Sequence, residues 1–229
     1  MNYYQRCGWC TRQHRAALKN ISIQIQKEKL VTLLSCYECA AKYNFDSKTC
    51  LILLCMIEFL KAIIFFLDSN NIKYMLSGSI ALGAYTLPRA TRDFDFIVQI
   101  KKTDADIFAN RFNVGYYCNN DFITDAVQHE GMFNIIDHAS SFKADFVVLK
   151  DSAYRKNEFE RRIQIELFNM KVFIVSPEDL LISKLIWIQD FQSNLQIEDI
   201  KSLIKYKSLD IAYVHFWIEK LKLNTFTLI

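Results

Sequence analysis

Two aspartates separated by a single residue are the side chains of this 229-residue chain best suited to chemistry. Asp93 and Asp95 alternate with the apolar residues Phe94, Phe96 and Val98. Side chains alternate across a β-strand, so the two carboxylates are predicted to project from one face and the apolar side chains from the other. Carboxylates this close raise each other's pKa. A divalent cation relieves that repulsion, and Mg²⁺ prefers oxygen ligands and commonly binds carboxylates together with substrate phosphates.

Gly78 and Ser79 precede these aspartates, at the point where an apolar strand pattern changes to a short helix pattern. Glycine lets backbone approach a phosphate closely, serine adds a hydroxyl, and a helix amino terminus offers amide donors with a favourable dipole. Two Mg²⁺ ions about 3.5–4 Å apart can activate an attacking hydroxyl and stabilise a leaving pyrophosphate. A Gly-Ser turn followed by Asp-x-Asp on the next strand therefore predicts a site that combines divalent metal with a phosphate-bearing substrate.

Hydrophobic periodicity places these residues in an α/β region that is followed by a helical region. Ser176 suits a helix N-cap, Pro177 suits the first turn, and Glu178 and Asp179 complement the helix dipole. The predicted strands are 72–77, 93–100 and two or three between residues 116 and 149, of which 142–149 is the clearest; the predicted helices are 47–69, 79–85, 103–112, 178–190, 196–205 and 209–222. The expected fold class is α/β (α+β), a mixed sheet with flanking helices and a C-terminal helical part.

The apolar run of residues 50–67 is the one candidate for a membrane span. Glu58 and Lys61 interrupt it, and each such charge costs roughly 2.5–3.5 kcal/mol at the centre of a bilayer. Together with Asp68 they form one polar stripe of a helix. The run is therefore predicted to be a core helix, and no membrane partner is expected. The chain opens without an apolar export signal, which with its odd number of cysteines favours the cytoplasm.

Four of the seven cysteines form two Cys-x-x-Cys pairs near the N-terminus, and a β-hairpin pattern lies between the pairs. They are Cys7, Cys10, Cys36 and Cys39. This spacing fits a structural tetrathiolate Zn²⁺ site, in which His14 is a candidate to replace one thiolate. Free cysteines in a small core, or a redox pair, are the alternatives. Three further cysteines lie in apolar runs and are predicted to be inert packing residues: Cys50, Cys55 and Cys118.

The positive charge is concentrated in the N-terminal segment. Residues 1–50 hold 8 basic and 3 acidic side chains, whereas the rest of the chain holds 20 basic and 22 acidic ones. Basic surface attracts phosphate irrespective of sequence, which favours RNA as a partner, although a zinc unit is equally suited to binding a protein. Changes of pattern predict a zinc-knuckle and hairpin unit over 1–46, the region of the aspartates over 47–175, and a helical region over 176–229.

The order of these motifs resembles the nucleotidyltransferase superfamily that is built on the DNA polymerase β-like minimal fold. Its pattern is a Gly-Ser helix turn, Asp-x-Asp, and a third carboxylate on a later strand, for which Asp145 in residues 142–148 (FKADFVV) is the match. Residues 88–95 (PRATRDFD), 132–136 (MFNII) and 176–185 (SPEDLLISKL) also resemble small bacterial nucleotidyltransferases of abortive-infection and toxin–antitoxin systems. The resemblance spans about residues 50–222.

The resemblance implies a catalytic role for three carboxylates and a nucleotide-binding role for five other residues. The carboxylates, which would hold two Mg²⁺ ions, are Asp93, Asp95 and Asp145. The nucleotide-binding residues are Gly78, Ser79, Arg89, Arg92 and Lys184. Asp145 would also help to deprotonate the acceptor hydroxyl.

Simpler interpretations stay open for several residues. The two neighbouring aspartates could face solvent on an edge strand, Asp145 could cap a turn, and the three basic residues could be ordinary surface charges. Glu178 and Asp179 read as helix-start acids rather than catalysts. Aromatic residues at helical spacings near the C-terminus are expected in the core: Trp187, Phe191, Tyr213, Phe216 and Trp217.

The predicted function is metal-dependent transfer of a nucleoside monophosphate from a nucleoside triphosphate (ATP, GTP or CTP) to an acceptor, with release of pyrophosphate. The acceptor is expected to be an RNA end, a protein or a small hydroxyl compound, and the resemblance implies a toxin or antitoxin partner. One alternative is a catalytically silent nucleotidyltransferase-fold binding module, an antitoxin or adaptor that binds RNA or protein through its zinc unit. Another is a nucleic-acid-binding zinc protein whose α/β part is a scaffold.

Overall fold

A seven-stranded mixed sheet flanked by helices forms the part of the chain that the computed structural model describes, residues 47–89 and 91–229. The strands are β1 Lys73–Leu76, β2 Asp93–Gln99, β3 Tyr116–Tyr117, β4 Met132–Asp137, β5 Lys143–Val148, β6 Ile163–Leu167 and β7 Met170–Ile174. The helices are α1 Ser47–Ser69, α2 Gly78–Tyr85, α3 Asp104–Arg111, α4 Asn120–Gln128, α5 Ala153–Glu160, α6 Pro177–Asp190, α7 Asn194–Ile204 and α8 Ile211–Leu221. The predicted α/β class is confirmed.

The predicted zinc unit lies outside the described residues. This applies to all four proposed ligands, which are Cys7, Cys10, Cys36 and Cys39. Both the unit and its Zn²⁺ site therefore stay predictions.

Strand β2 lies at the middle of the sheet, whose order is β3-β4-β5-β2-β1-β7-β6. It pairs in parallel with β5 on one side and antiparallel with β1 on the other. The outer pairs β4–β5, β3–β4 and β6–β7 are antiparallel, and β1–β7 is parallel. Residues on β2 are thus held from both sides by ladder hydrogen bonds, which makes this strand a rigid support for functional side chains.

The core face of β2 is filled by phenylalanine. Phe94, Phe96 and Val98 are buried, as the alternation in the sequence predicts. Phe108 of α3 packs its ring against Phe146 of β5, with a centroid distance of 5.4 Å, and against rings from α1 and β4. With this face committed to the core, the alternate residues of β2 must point to the opposite face of the sheet.

Helix α1 has the bounds that the sequence predicts, and it is a core helix with one exposed stripe. Four exposed positions and the partly exposed Lys61 recur every three or four residues, which is one face of a helix. They are Leu54, Glu58, Lys61, Phe65 and Asp68. Within the described residues, no helix combines the length and the apolar character that crossing a membrane requires.

Two helices and two strands were not expected from the sequence. Helix α4 lies where only strands were predicted; its N-cap, Asn119, accepts a hydrogen bond from the amide of Phe122. Helix α5 and the β6–β7 hairpin fill the stretch between residues 149 and 176. The hairpin turns through Phe168 and Asn169, both at positive φ, a turn geometry that usually shows in a sequence as Asn-Gly or Asp-Gly.

The prediction that the aromatic residues of the C-terminal helices are core residues is wrong for three of them. Trp187, Phe191 and Phe216 are exposed, whereas Trp217 is buried. Periodicity shows which residues share a helix face, but it does not show which face meets the rest of the protein. On α6 the buried face is the one that carries Leu181 and Leu185.

Candidate active site

The three predicted carboxylates meet on the face of β2 and β5 opposite the phenylalanine core. Asp95 and Asp145 are direct partners in the parallel register, and neighbouring strands lie about 4.8 Å apart. Asp93 is two residues before Asp95 on the same face, and its side chain is 53% exposed, whereas that of Asp145 is 13% exposed. The prediction that these strands bring the acids together thus agrees with the fold, while their catalytic role stays a prediction.

Gly78 is in contact with Asp95. It begins α2 with φ of +55°, and a Cβ atom at this position would lie 1.8 Å from Asp95 Oδ2. The amide of Ser79 donates a hydrogen bond to the Asp95 carboxylate, and the amide of Ser77 donates to the Asp95 carbonyl at 2.8 Å. The Gly-Ser turn therefore lies directly beside the acids. At least one of the α2 amides expected to face phosphate is used on Asp95.

The charge state of Asp95 reflects this crowded position. Burial raises the pKa of Asp95, and the neighbouring charges of Asp145 and Asp93 raise it further. The positive charge of Lys184 and the Ser79 amide act in the opposite direction. Any added positive charge would stabilise the ionised form of a carboxylate in such surroundings.

Lys143 lies between two of the acids. It is the register partner of Asp93, and its Nζ is 2.7 Å from Asp145 Oδ2 and 3.9 Å from Asp93 Oδ1. Burial acts to lower the pKa of Lys143, but the hydrogen bond to Asp145 and the charges of the acids outweigh it and raise the pKa above its ordinary value. Lys143 is thus a cation that already neutralises part of the acidic charge.

The donor atoms fit a magnesium ion that is bound jointly with a substrate. Asp145 Oδ1 is buried and has no hydrogen-bond partner among the described residues, a state that either a cation or a hydrogen-bond donor would relieve. Mg²⁺ commonly uses only one or two protein carboxylates and takes its other ligands from water and phosphate. Within residues 47–89 and 91–229, no group of three or more His, Cys, Asp or Glu side chains is arranged to hold a metal ion by itself. The predicted pair of ions stays a prediction.

The basic residues Lys184 and Arg89 meet at Asp199 of α7, an acid that the motifs of the sequence do not include. Lys184 Nζ donates to Asp199 Oδ2 at 2.8 Å and to Gln196 Oε1 at 2.9 Å. Arg89 donates to both Asp199 carboxylate oxygens, at 3.3 and 3.2 Å. Burial lowers the pKa of Lys184, although Asp199 acts against this shift, and the charge of Lys184 acts on Asp95. The cation that α6 and α7 hold between them therefore contributes positive potential at Asp95.

Arg92 has a different position from the other basic residues. Its guanidinium donates to the carbonyl oxygen of Ser140 at 3.0 Å and lies over the ring of Phe142, 5.6 Å from the centroid. Both contacts are at the connection between β4 and β5. The predicted nucleotide-binding role of Arg92 stays a prediction, and the contacts shown indicate that it orients the start of β5.

Three residues near the site were not selected from the sequence: Lys143, Asn134 and Asp199. Asn134 is the register partner of Asp145 on β4, so it lies on the same face as the acids. Asp199 shares the buried face of α7 with Ile200 and Leu203. A charged residue on the apolar face of a predicted helix is visible in the sequence, and this signal could have identified Asp199. Lys143 and Asn134 carry no such signal, because strand pairing alone places them beside Asp145.

No protein-family model matches the chain, and no curated protein sequence matches it. Among solved structures, the antibiotic-resistance factor ANT(2'')-Ia is similar, with 11% identity over 74% of this chain and 92% of that chain and a TM-score of 0.50. A lincomycin-bound lincosamide antibiotic adenylyltransferase shows 16% identity over 65% of this chain and 96% of that one, with a TM-score of 0.46. A nucleotidyltransferase-like protein from Paracoccidioides brasiliensis shows 15% identity over 72% and 88%, with a TM-score of 0.42.

Identities this low are informative about the fold and not about the substrate. The fold comparison rests on ANT(2'')-Ia, which is aligned over nearly its whole length. The chain therefore has the nucleotidyltransferase fold that the order of its motifs predicted.

Proposed function

We propose that the chain is a metal-dependent nucleotidyltransferase that moves a nucleoside monophosphate from a nucleoside triphosphate to an acceptor hydroxyl. The observation that carries this proposal is the direct pairing of Asp95 and Asp145 on β2 and β5, with Gly78 and Ser79 packed against Asp95. The backbone proposed to bind phosphate thus lies next to the acids proposed to bind metal, and Asp93, which is 53% exposed, opens this group to solvent. The nucleotidyltransferase fold supports the same reaction class.

Asp93, Asp95 and Asp145 would hold Mg²⁺, which when bound supplies positive charge to the triphosphate. The acceptor oxygen forms a bond to the α-phosphorus while the bond from that phosphorus to the bridging oxygen of the β-phosphate breaks, and pyrophosphate leaves. The hydroxyl proton goes to Asp145, whose Oδ1 has no other partner among the described residues. Catalysis of this kind is mostly positioning and electrostatic stabilisation.

The cationic group of Lys184 and Arg89 would bind the triphosphate. Asp199 and Gln196 hold the Lys184 ammonium, whose positive charge acts on Asp95, and Asp199 also holds Arg89. Because both cations are held by one acid, they form a prearranged charge that the phosphates can meet without ordering flexible side chains. Gly78 would allow the close approach of the phosphates to the backbone.

The acceptor would lie on the β4 side of Asp145, where Asn134 occupies the adjacent register position. Its amide can both donate and accept hydrogen bonds, as an acceptor hydroxyl requires. An RNA end, a protein or a small hydroxyl compound would each present such a hydroxyl. The motif resemblance supports a place in a toxin–antitoxin or phage-defence system, in which case expression of the active chain slows growth and expression of an inactive variant does not.

The reaction is tested by incubating the purified chain with each α-labelled nucleoside triphosphate, Mg²⁺, total RNA, total cell protein and a small-metabolite extract. We expect label in one acceptor fraction, and a loss of at least about a thousandfold in the Asp93→Asn, Asp95→Asn double variant, since fixed charge is usually the largest catalytic contribution. An Asp121→Asn, Asp190→Asn variant changes the charge equally at two exposed positions and should retain activity.

The outcomes separate the proposal from its alternatives. Transfer that survives the double substitution would contradict the assigned site. Nucleotide binding without transfer to any fraction would favour the catalytically silent binding module. Salt-sensitive RNA binding that is independent of Asp93 and Asp95 would favour the scaffold hypothesis.

The zinc prediction has a separate test. One equivalent of Zn²⁺ by elemental analysis, lost in a Cys36→Ser variant, is expected for the tetrathiolate site. Metal-free protein with an intact fold would contradict it.

A further inference from the structure

Lys143 is placed among the acids by strand pairing. It lies on β5 opposite Asp93 and two residues before Asp145, so the three side chains project from the same face. The Lys143 ammonium is 2.7 Å from Asp145 Oδ2 and 3.9 Å from Asp93 Oδ1. It therefore contacts an oxygen of one proposed metal ligand and lies close to another.

We propose that Lys143 is an internal counter-ion that competes with the divalent cation for Asp145 and Asp93. Its ammonium neutralises part of the acidic charge, and a metal ion held by Asp145 and Asp93 would have to displace it. This inference rests on the proposed function, because that function calls for the metal. Its consequence is an order of binding: Mg²⁺ alone binds weakly and enters together with the triphosphate, whose oxygens supply further ligands.

The surroundings of Lys143 favour a displaceable ion pair over a fixed structural one. Its side chain is 34% exposed, and a lysine ammonium sits on a flexible four-carbon stem. The pair satisfies only one oxygen of Asp145, since Oδ1 has no hydrogen-bond partner among the described residues. Lys143 therefore neutralises only part of the Asp145 charge, and a divalent cation, with its larger charge, can displace the ammonium.

The test measures Mn²⁺ binding without nucleotide or acceptor, by the electron paramagnetic resonance signal of free Mn²⁺ during titration. Lys143→Met is expected to bind Mn²⁺ about tenfold more tightly than wild type, the effect that one adjacent unit charge commonly has on cation affinity for a carboxylate. Lys143→Arg keeps the charge and should stay within about twofold of wild type. Lys171→Met, which removes an exposed lysine of β7, should also stay within about twofold.

Unchanged or weaker Mn²⁺ binding by Lys143→Met would overturn the proposal, as would equal tightening in Lys171→Met. Metal held elsewhere in the chain is common to all variants and does not affect the comparison. Should Lys143→Met fail to fold without metal, the wild-type protein provides a second test. The ¹⁵N ammonium resonance of Lys143 is assigned by its loss in Lys143→Arg. If the ammonium is displaced, this resonance shifts on addition of Mg²⁺. A resonance that does not move would refute displacement.

These measurements separate this inference from the proposed function. Tighter metal binding by Lys143→Met in a protein that transfers no nucleotide would support the counter-ion role of Lys143 and contradict the proposed nucleotidyltransferase function. Full nucleotidyl transfer by wild type, with unchanged metal binding in Lys143→Met, would support the proposed function and contradict the counter-ion role of Lys143.

Discussion

Gly78 shows how closely the backbone and a carboxylate are packed in this site. Its φ of +55° lies in the left-handed region, which side chains with a Cβ adopt with difficulty. Independently, any Cβ atom would lie 1.8 Å from Asp95 Oδ2. A substitution therefore both strains the turn and displaces the carboxylate that we propose as a metal ligand.

We predict that Gly78→Ala lowers the rate of nucleotidyl transfer about a hundredfold, because a displacement of about 1 Å in a reacting group commonly has that effect. Single-turnover rates at saturating nucleotide measure it. Gly83→Ala is the matched control in the same helix, since its Cβ would lie no closer than 3.4 Å to the nearest neighbouring atom. A Gly78→Ala rate within threefold of wild type would show that Asp95 does not need its present position.

Cys118 illustrates a residue whose surroundings lower the reactivity expected of its thiol. Burial raises the pKa of its thiol from the ordinary value of 9.0 to about 11. Only the thiolate reacts with alkylating agents, and a shift of two units lowers its fraction about a hundredfold at pH 8. We predict iodoacetamide labelling of Cys118 at least that much slower than labelling of a free thiol, with the peptide identified by mass spectrometry.

The sign of its pH dependence follows from the same shift. Labelling of Cys118 should rise about tenfold per pH unit from pH 8 to 10 and level off only near its raised pKa, whereas an ordinary thiol levels off near pH 9. Levelling near pH 9 would show that the thiol is not buried in solution.

At the scale of elements, helices α6 and α7 are joined by buried charge. Lys184 and Asp199 are both almost fully buried, and each lies on the apolar face of its helix. Arg89, from the segment between α2 and β2, pairs with the same acid. One carboxylate thus links two helices and the segment that carries Arg89.

Asp199→Asn is predicted to lower the free energy of unfolding by about 3 kcal/mol, because it leaves the buried ammonium of Lys184 without its charged partner. It should also raise KM for the triphosphate more than it lowers kcat, since the cations are misplaced rather than removed. Urea denaturation and steady-state kinetics measure the two effects. Glu198→Gln, an exposed acid of the same helix, should change neither by much; equal effects in both variants would argue against a specific role for Asp199.

At the scale of the whole molecule, the first turn of α6 is hydrogen-bonded both to the end of α5 and to the C-terminal helix α8. The buried Asp179 accepts hydrogen bonds from the Ser176 hydroxyl at 2.7 Å, from Arg161 at 2.9 Å and from the Tyr213 hydroxyl at 2.7 Å. Glu178 accepts from Arg161 and from the amide of Asp210. The predicted helix-start acids are therefore also the contacts that hold α5 and α8 to α6.

We expect Asp179→Ala to lower the free energy of unfolding by about 3 kcal/mol, since it leaves several buried polar groups without their acceptor. Denaturation followed by both far-ultraviolet circular dichroism and tryptophan fluorescence measures the loss, and Trp217 of α8 reports on the C-terminal helix. Asp190→Asn, at the exposed end of the same helix, is the control. A loss below about 1 kcal/mol would mean that apolar packing alone holds α8.

The sequence determined the parts of this protein that depend on local order along the chain. Alternation predicted the two faces of β2, and caps and periodicity predicted α1, α2 and α6 to within a few residues. The fold was predicted by the resemblance that the order of Gly78, Asp93 and Asp145 carries. These features depend on side-chain period and turn chemistry, which neighbouring residues set.

Only the tertiary structure decided which residues from distant segments of the chain are neighbours. Strand register placed Lys143 between the acids and Asn134 opposite Asp145, and helix packing brought Asp199 to Lys184. It also left Trp187 in solvent. The physical reason is that such pairings depend on how segments far apart in the chain are aligned. The hydrophobic period of a strand or helix fixes only which face is buried, and many alignments bury the same face, so the period does not reveal the partner.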